Sequence, residues 1–118
     1  MEAAPYARRM LRTRYRVRRL LAVVAVAVTC AACSPLAAIG AAFGRHGPAV
    51  VAEAVEVAEC ESGLDPSARN GDHAGLFQLR LRFHRHRIDG DPYDALANAV
   101  GAERLYVEQG WSPWSCKP

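Results

Sequence analysis

The sequence predicts a mainly α-helical fold for the second part of this 118-residue chain. Residues 49–61 and the stretch that follows Asp91 carry apolar side chains at helical spacing. No segment alternates apolar and polar residues convincingly, so no strand is predicted. We expect one disulfide to staple the domain, because domains of roughly 70 residues often bury too little surface to be stable without such help.

The first 33 residues are predicted to be an export signal. Residues 8–19 hold seven arginines, and an apolar run of about 13 residues, LLAVVAVAVTCAAC, follows them. This run is short for a membrane-spanning helix, which needs roughly 20 residues. Three outcomes stay open: lipoprotein processing before Cys33, which would then carry the lipid, cleavage near Ala32 or Ala42, or a retained N-terminal anchor.

Export defines where we expect the protein and how its cysteines behave. The predicted location is the extracellular space and cell wall, or the outer face of the cytoplasmic membrane if Cys33 is lipidated or the anchor is retained. Cys60 and Cys116 would then lie in an oxidising compartment, where a disulfide between them is predicted. A closed loop of that size would stabilise the fold by roughly 4 kcal/mol in the chain-entropy model.

The charge distribution argues against nucleic acid as a partner. The formal net charge of the whole chain is +3, but residues after Cys33 include eight Lys/Arg and eleven Asp/Glu. The basic character therefore belongs to the N-terminus, and the mildly acidic remainder does not predict a phosphate-binding surface.

Residues 34–47, SPLAAIGAAFGRHG, are rich in Ala, Gly and Pro and are predicted to be a mobile linker. Pro48 suits the first turn of a helix, so the domain is predicted to span residues 48–118.

An acid at the end of the first predicted helix does not fit its pattern. The apolar residues of this helix fall in one arc of about 160°: Val50, Val51, Ala54, Val55, Val57 and Ala58. Glu53, Glu56 and Glu59 fall opposite, whereas Glu61 projects within the apolar arc. Gly63 is predicted to end the helix just beyond it.

Two interpretations of Glu61 remain open from the pattern alone. A carboxyl group against apolar residues holds its proton more tightly and can act as an acid near neutral pH. Alternatively, Glu61 is a helix-end side chain that reaches solvent. Its neighbour Ser62 lies in no GxSxG motif, so we expect it to cap or hydrogen-bond locally rather than act as a nucleophile.

The region between the helices is predicted to consist of turns and short pieces. Asp65-Pro66 and Asn70-Gly71 are turn signals, and residues 75–79 form a compact apolar stretch. The polar run from residue 80 to 91 is predicted to be irregular or briefly helical. A second long helix is predicted from Asp91-Pro92 to Gly110, with this apolar stripe: Leu96, Ala99, Val100, Ala102, Leu105 and Tyr106.

Neither the histidines nor the tryptophans give a decisive signal. His84 and His86 lie two residues apart, which is not the spacing of a helical zinc pair, so no metal site is predicted. The basic run around them is expected to be solvated, or to meet an anionic wall polymer. Trp111 and Trp114 are predicted to be core lids near the disulfide, and they can also offer flat faces to sugar rings.

Three motifs, in order, resemble the SLT-type lytic transglycosylases of the lysozyme-like superfamily. That family has a helix ending in Glu-Ser, an Asn/Asp-Pro-x-Ala turn and a Gly-Leu-Met/Phe-Gln-Leu/Ile stretch. The corresponding residues here are Glu61-Ser62, Asp65-Pro66-Ser67-Ala68 and Gly75-Leu76-Phe77-Gln78-Leu79. The later Asp91-Pro92, Asn98 and Gly101 are also similar to the family, and the resemblance covers about residues 48–118.

A second resemblance concerns the frame of the domain. Cys60-Glu61-Ser62-Gly63 and the segment from Gly110 to Cys116 are similar to resuscitation-promoting factors, in which the late cysteine closes back to the first. Together the resemblances imply a small lysozyme-like domain stapled by the disulfide between Cys60 and Cys116.

The resemblance also implies an activity. The enzyme would cleave the β-1,4 bond between N-acetylmuramic acid and N-acetylglucosamine in peptidoglycan, with Glu61 as general acid and then base and no cofactor. The expected product carries a 1,6-anhydro end, and a monomer is expected. Gln78 and the backbone of Gly75 and Phe77 are expected to position the glycan strand, and Trp111 to offer it an aromatic face.

Two alternatives remain. The first is a muramidase that hydrolyses the same bond with water and a second carboxylate, for which the candidates are Asp65, Asp72, Asp89, Asp91 and Asp94. The second is a non-catalytic cell-wall-binding lipoprotein.

Overall fold

Helices dominate the protein, as the sequence predicts. The structure is a computed structural model and describes residues 34–118. Within these residues the helices are α1 (Pro35–Phe43), α2 (Pro48–Ser62), the short α3 (Leu81–His84) and α4 (Ala95–Gln109). The strands are β1 (Arg69–Asn70), β2 (His73–Ala74) and β3 (Leu79–Arg80), and the 3-10 turns are Gly44–His46 and Arg85–Arg87.

The predicted export signal of residues 1–33, including Cys33, lies outside the described residues. Within residues 34–118, no helix combines the length and the hydropathy needed to cross a membrane.

The predicted linker of residues 34–47 is wrong, because most of this segment is helix α1 and its apolar side chains are in the core. Ser34 occupies the N-cap position and Pro35 starts the helix. Ala38, Ile39 and Phe43 are buried, and α1 packs against α4. Ile39 and Phe43 lie four residues apart and so share one face of the helix. The folded domain therefore includes residues that the sequence analysis placed before it.

A polar cluster fixes the end of α1 to α4. The buried carboxylate of Glu103 accepts a hydrogen bond from Arg45 Nε at 2.8 Å, and its Oε1 lies 2.7 Å from His46 Nε2. Arg45 and His46 come from the turn that follows α1. A buried carboxylate needs such partners, since an unpaired one would lose its hydration without compensation.

Helix α2 begins and ends where its punctuating residues predict. Pro48 is its first residue, and Gly63 ends it with a φ of 65°, a left-handed conformation that suits glycine. Ala54, Val57 and Ala58 are buried as predicted. The C-terminus of α2 thus points Glu61 and Ser62 towards the sheet.

The strands pair as one antiparallel sheet in the order β1-β2-β3. Asn70 pairs with His73 around the predicted turn, and Ala74 pairs with Leu79. The sequence analysis missed the sheet because two-residue strands are too short to show alternation. The loop between β2 and β3 carries residues 75–78, which border the site described below.

Helix α4 starts later than predicted. Asp94 caps it by accepting a hydrogen bond from the Ala97 backbone N–H at 2.8 Å, and the first helical residue is Ala95. Pro92 therefore lies in the preceding turn rather than in the helix. Leu96, predicted to be part of the apolar stripe, is exposed, whereas Ala99, Ala102 and Leu105 are buried.

Candidate active site

A cleft of about 240 Å³ opens beside the C-terminus of α2. The sheet, α3 and the C-terminal segment form its other walls. Its lining residues are Glu61, His73, Gln78, Leu79, Arg80, Phe83, His84, Leu105, Pro113, Trp114 and Ser115. The sequence analysis selected Glu61 and Gln78 from this set as substrate-handling residues.

Glu61 is partly exposed and is held from the C-terminal segment. Its Oε1 accepts a hydrogen bond from the backbone N–H of Cys116 at 3.2 Å. Cys116 is bonded to Cys60, the residue next to Glu61, so the predicted disulfide is confirmed. The disulfide therefore brings a backbone donor to the carboxylate.

Ser62 ties the end of α2 to the loop between β2 and β3. Its Oγ lies 2.7 Å from the carbonyl oxygen of Leu76 and 3.0 Å from that of Ala58. The contact with Ala58 is local, as predicted for Ser62, whereas the contact with Leu76 joins residues 14 positions apart. Ser62 therefore links the end of α2, where Glu61 lies, to the loop between β2 and β3.

Gln78 lies at the floor of the cleft in a left-handed conformation, with a φ of 49°. Its Nε2 donates to the carbonyl oxygens of Ala68 at 3.0 Å and Gly75 at 2.9 Å. Both amide hydrogens are thus used within the protein. Among the described residues no donor contacts its Oε1, which leaves this oxygen able to accept a hydrogen bond from a ligand.

Gly75 and Phe77 frame the cleft instead of lining it. Gly75 has a φ of 75°, and a Cβ at this position would overlap the carbonyl oxygen of Pro92 and the side-chain amide of Asn98. Phe77 is fully buried. Its N–H donates to Asn98 Oδ1 at 2.8 Å, and its carbonyl oxygen accepts from Trp114 Nε1 at 3.0 Å. The expected backbone contact with substrate therefore competes with internal hydrogen bonds.

Asn98 is the residue that holds this frame together. It is completely buried in α4. Besides accepting from Phe77, its Nδ2 donates to the carbonyl oxygens of Ala74 and Pro92, each at 2.9 Å. The resemblance pointed to Asn98, but only the fold shows that it joins α4 to both ends of the loop.

Trp111 was expected to offer the substrate an aromatic face, but it is not among the residues that line the cleft. Trp114 is the tryptophan that lines it. Trp111 packs against Tyr106, with ring centroids 4.6 Å apart, and against Phe43 at 5.7 Å. Its Nε1 donates to Glu53 Oε2 at 2.8 Å. Glu53, predicted to be on the solvated face of α2, is therefore partly buried by an aromatic partner.

Basic residues also line the cleft, some of them from the run that the sequence analysis left open between a solvated segment and a contact for an anionic wall polymer. His73, Arg80, Phe83 and His84 line it. Burial, together with the charges of Arg87 and His86, lowers the pKa of His84, and Glu108 opposes this shift. His84 is therefore mainly uncharged near neutral pH, and Arg80 supplies the fixed positive charge.

The cleft contains one carboxylate, Glu61, among the described residues that line it. The five aspartates proposed for a hydrolytic mechanism have other contacts. Hydrogen bonds from the Ser67 side chain and backbone lower the pKa of Asp65. Asp91 accepts from the backbone of the turn before α4, and Asp94 caps that helix.

The remaining two aspartates face arginines. Arg104 donates to Asp89 at 2.7 Å and lowers the pKa of Asp89. Asp72 Oδ2 lies 3.7 Å from Arg80 Nε and accepts from the backbone N–H of Arg82 at 3.2 Å.

Within residues 34–118 no cluster of three His, Cys, Asp or Glu side chains is arranged to hold a metal ion.

The fold and the site together define a small, disulfide-closed helical domain with a carboxylate at the mouth of a cleft. A family model described as a lysozyme like domain matches residues 37–116. The chain therefore belongs to the lysozyme-like domain family, which confirms the predicted resemblance at this level. Neither a curated protein nor a solved structure matched significantly.

Family membership also bears on the activity and on the domain boundary. It supports a glycosidase-like enzyme with a peptidoglycan-related function. The match begins inside α1, which agrees with the finding that this helix is part of the domain.

Proposed function

We propose that the protein is a peptidoglycan lytic transglycosylase that cleaves the β-1,4 bond between N-acetylmuramic acid and N-acetylglucosamine. The observation that carries this proposal is the position of Glu61. It is the one carboxylate among the described residues of the cleft lining, and a backbone N–H binds its Oε1. The predicted export of the chain would bring it to this substrate.

The first step needs an acid and no second protein carboxylate. The protonated form of Glu61 donates its proton to the glycosidic oxygen as the bond from that oxygen to C1 of the muramic acid breaks. The sugar's own acetamido oxygen forms a bond to C1 and takes up the developing positive charge. Substrate assistance of this kind is an established exception to the two-carboxylate scheme.

The second step reuses the same carboxylate as a base. Glu61, now ionised, accepts the proton of the C6 hydroxyl, and the C6 oxygen attacks C1 and displaces the acetamido oxygen. The product is a 1,6-anhydro sugar, and Glu61 regains its proton. No water molecule is consumed.

The two carboxylate oxygens of Glu61 differ in their hydrogen bonding. Oε1 accepts from Cys116, whereas no donor among residues 34–118 contacts Oε2. We assign the transferred proton to Oε2. Gln78 Oε1, at the floor of the cleft, is the candidate acceptor for a hydroxyl or amide group of the bound sugar.

Substitution of Glu61 tests the proposal. Glu61→Gln keeps the size and the hydrogen bond from Cys116 but lacks a transferable proton. It should lower the rate of turbidity loss of purified peptidoglycan by at least about 100-fold. Glu59→Gln, which removes an exposed charge two residues away, is the matched control and should retain the parent rate. Equal rates for the parent and Glu61→Gln would remove Glu61 from the mechanism and favour a wall-binding protein.

A further inference from the structure

The basic residues of the cleft lining have no part in the proton transfers. Residues 80–87 contain four arginines and no acid. Among these arginines, Arg80 is the one that lines the cleft within the described residues. The segment therefore contributes one arginine to the cleft lining and keeps the others outside it.

The guanidinium of Arg80 has hydrogen-bond donors that are available to a ligand. Its nearest carboxylate, that of Asp72, forms an ion pair with Nε at 3.7 Å, a distance too long for a hydrogen bond. Within residues 34–118 its guanidinium donates to no acceptor, and its side chain is 46% exposed. By contrast, Arg85 donates to the Ile88 carbonyl oxygen at 2.9 Å and Arg87 donates to Glu108 at 2.7 Å.

Phe83 orients this guanidinium. The Arg80 Cζ lies over the Phe83 ring, 5.2 Å from its centroid, and Phe83 is itself exposed in the cleft. This cation–π contact holds the guanidinium beside the ring, and its N–H groups have no hydrogen-bond acceptor within residues 34–118. The N–H groups of a guanidinium form a fork that matches the two oxygens of a carboxylate.

We propose that Arg80, oriented by Phe83, binds a carboxylate of the glycan substrate and makes the cleft selective for anionic peptidoglycan strands over neutral N-acetylglucosamine polymers. The inference rests on the proposed function, since it assigns a specificity residue to that site. The carboxylate has two sources: the lactyl group of muramic acid in strands stripped of peptide, or the acidic groups of the stem peptide.

Binding without turnover tests the inference. In the full chain carrying Glu61→Gln, dissociation constants are measured for peptide-bearing strands, amidase-stripped strands and neutral chito-oligosaccharides. Arg80→Gln should weaken binding of at least one anionic ligand by about tenfold and leave binding of the neutral one unchanged. A loss confined to stripped strands assigns the lactyl group, and one confined to peptide-bearing strands assigns the stem peptide.

Arg82→Gln is the matched control. Arg82 lies in the same segment, 3.9 Å from the same Asp72, but outside the cleft lining. It should change each dissociation constant less than about twofold. Phe83→Leu should weaken anionic binding by about threefold through loss of the cation–π contact, and Arg80→Lys should recover only part of the affinity.

Equal losses in Arg80→Gln and Arg82→Gln, or an equal loss for the neutral ligand, would overturn the inference, as would the absence of binding to every strand. Because these measurements involve no catalysis, the expected difference between the variants can be absent even if the proposed reaction takes place. Failure of the proposed chemistry appears instead in the lysis rates of the parent and Glu61→Gln.

Discussion

At the scale of single residues, the structure explains why Glu61 can lie on the apolar side of α2. The helix ends one residue later, at Ser62, and the cleft begins at that point. The apolar arc predicted from the sequence is therefore buried or partly buried against the core along the helix but opens to solvent at its end. Glu61 lies at this boundary and is partly exposed, whereas an acid one turn earlier would be in the core.

Asn98 gives a prediction at the same scale, because it joins the loop to α4 through three hydrogen bonds. Asn98→Ala should lower the free energy of unfolding by about 3 kcal/mol, since it leaves buried backbone groups without partners. Denaturant unfolding measures this loss. Asn70→Ala, at an exposed position, is the control and should change the free energy by less than about 0.5 kcal/mol.

A change in the free energy of unfolding of Asn98→Ala as small as that of the control would contradict this role for Asn98.

The sequence identified Glu61 and Gln78 in the cleft because their motif has a fixed order along the chain. It could not distinguish Trp111 from Trp114, since both follow Gly110 and their surroundings depend on how the C-terminal segment folds back. It also could not place Arg80, which reaches the cleft through the strand pairing of β2 and β3.

At the scale of elements, the long helices differ in how well the sequence predicts them. Pro48 and Gly63 mark α2 unambiguously, and both ends are confirmed. Helix α1 was missed because its alanines and Gly40 are residue types also common in linkers. Ser34 before Pro35, and Ile39 four residues before Phe43, are the signals that could have identified it.

Two positions in α1 test whether this helix belongs to the core. Phe43 is fully buried, whereas Leu36 is 53% exposed. Phe43→Ala should lower the free energy of unfolding by about 3–5 kcal/mol because it leaves a cavity against Phe77, Tyr106 and Trp111. Leu36→Ala should change it by less than about 0.5 kcal/mol.

Thermal or denaturant unfolding of both variants measures the difference. If residues 34–47 were a linker, the two substitutions would have equally small effects, and that result would reject α1 as a core element.

At the scale of the whole molecule, one covalent link serves both stability and the site. The disulfide spans 56 positions and joins the end of α2 to the C-terminal segment. The same connection supplies the N–H that donates to Glu61 Oε1, and Trp114, two residues before Cys116, lines the cleft. The sequence predicted the link from cysteine count and export, but the contact between Cys116 and Glu61 depends on side-chain placement.

Removal of the disulfide gives a prediction for stability and activity together. The double variant Cys60→Ser, Cys116→Ser should lose about 4 kcal/mol of unfolding free energy in the chain-entropy model. Its glycan-cleaving activity should also fall at temperatures where circular dichroism shows that it is still folded, because Glu61 is less well held. Full activity of the folded double variant would show that the Cys116 contact is dispensable.

The central claim is that Glu61 transfers protons in a reaction that consumes no water. Mass spectrometry of the soluble fragments released from purified peptidoglycan tests this most directly. The account predicts fragments ending in 1,6-anhydro-N-acetylmuramic acid, lighter by one water than the hydrolytic products, and their absence from a Glu61→Gln digest. Fragments that carry only reducing ends would contradict it and assign the protein to the hydrolases.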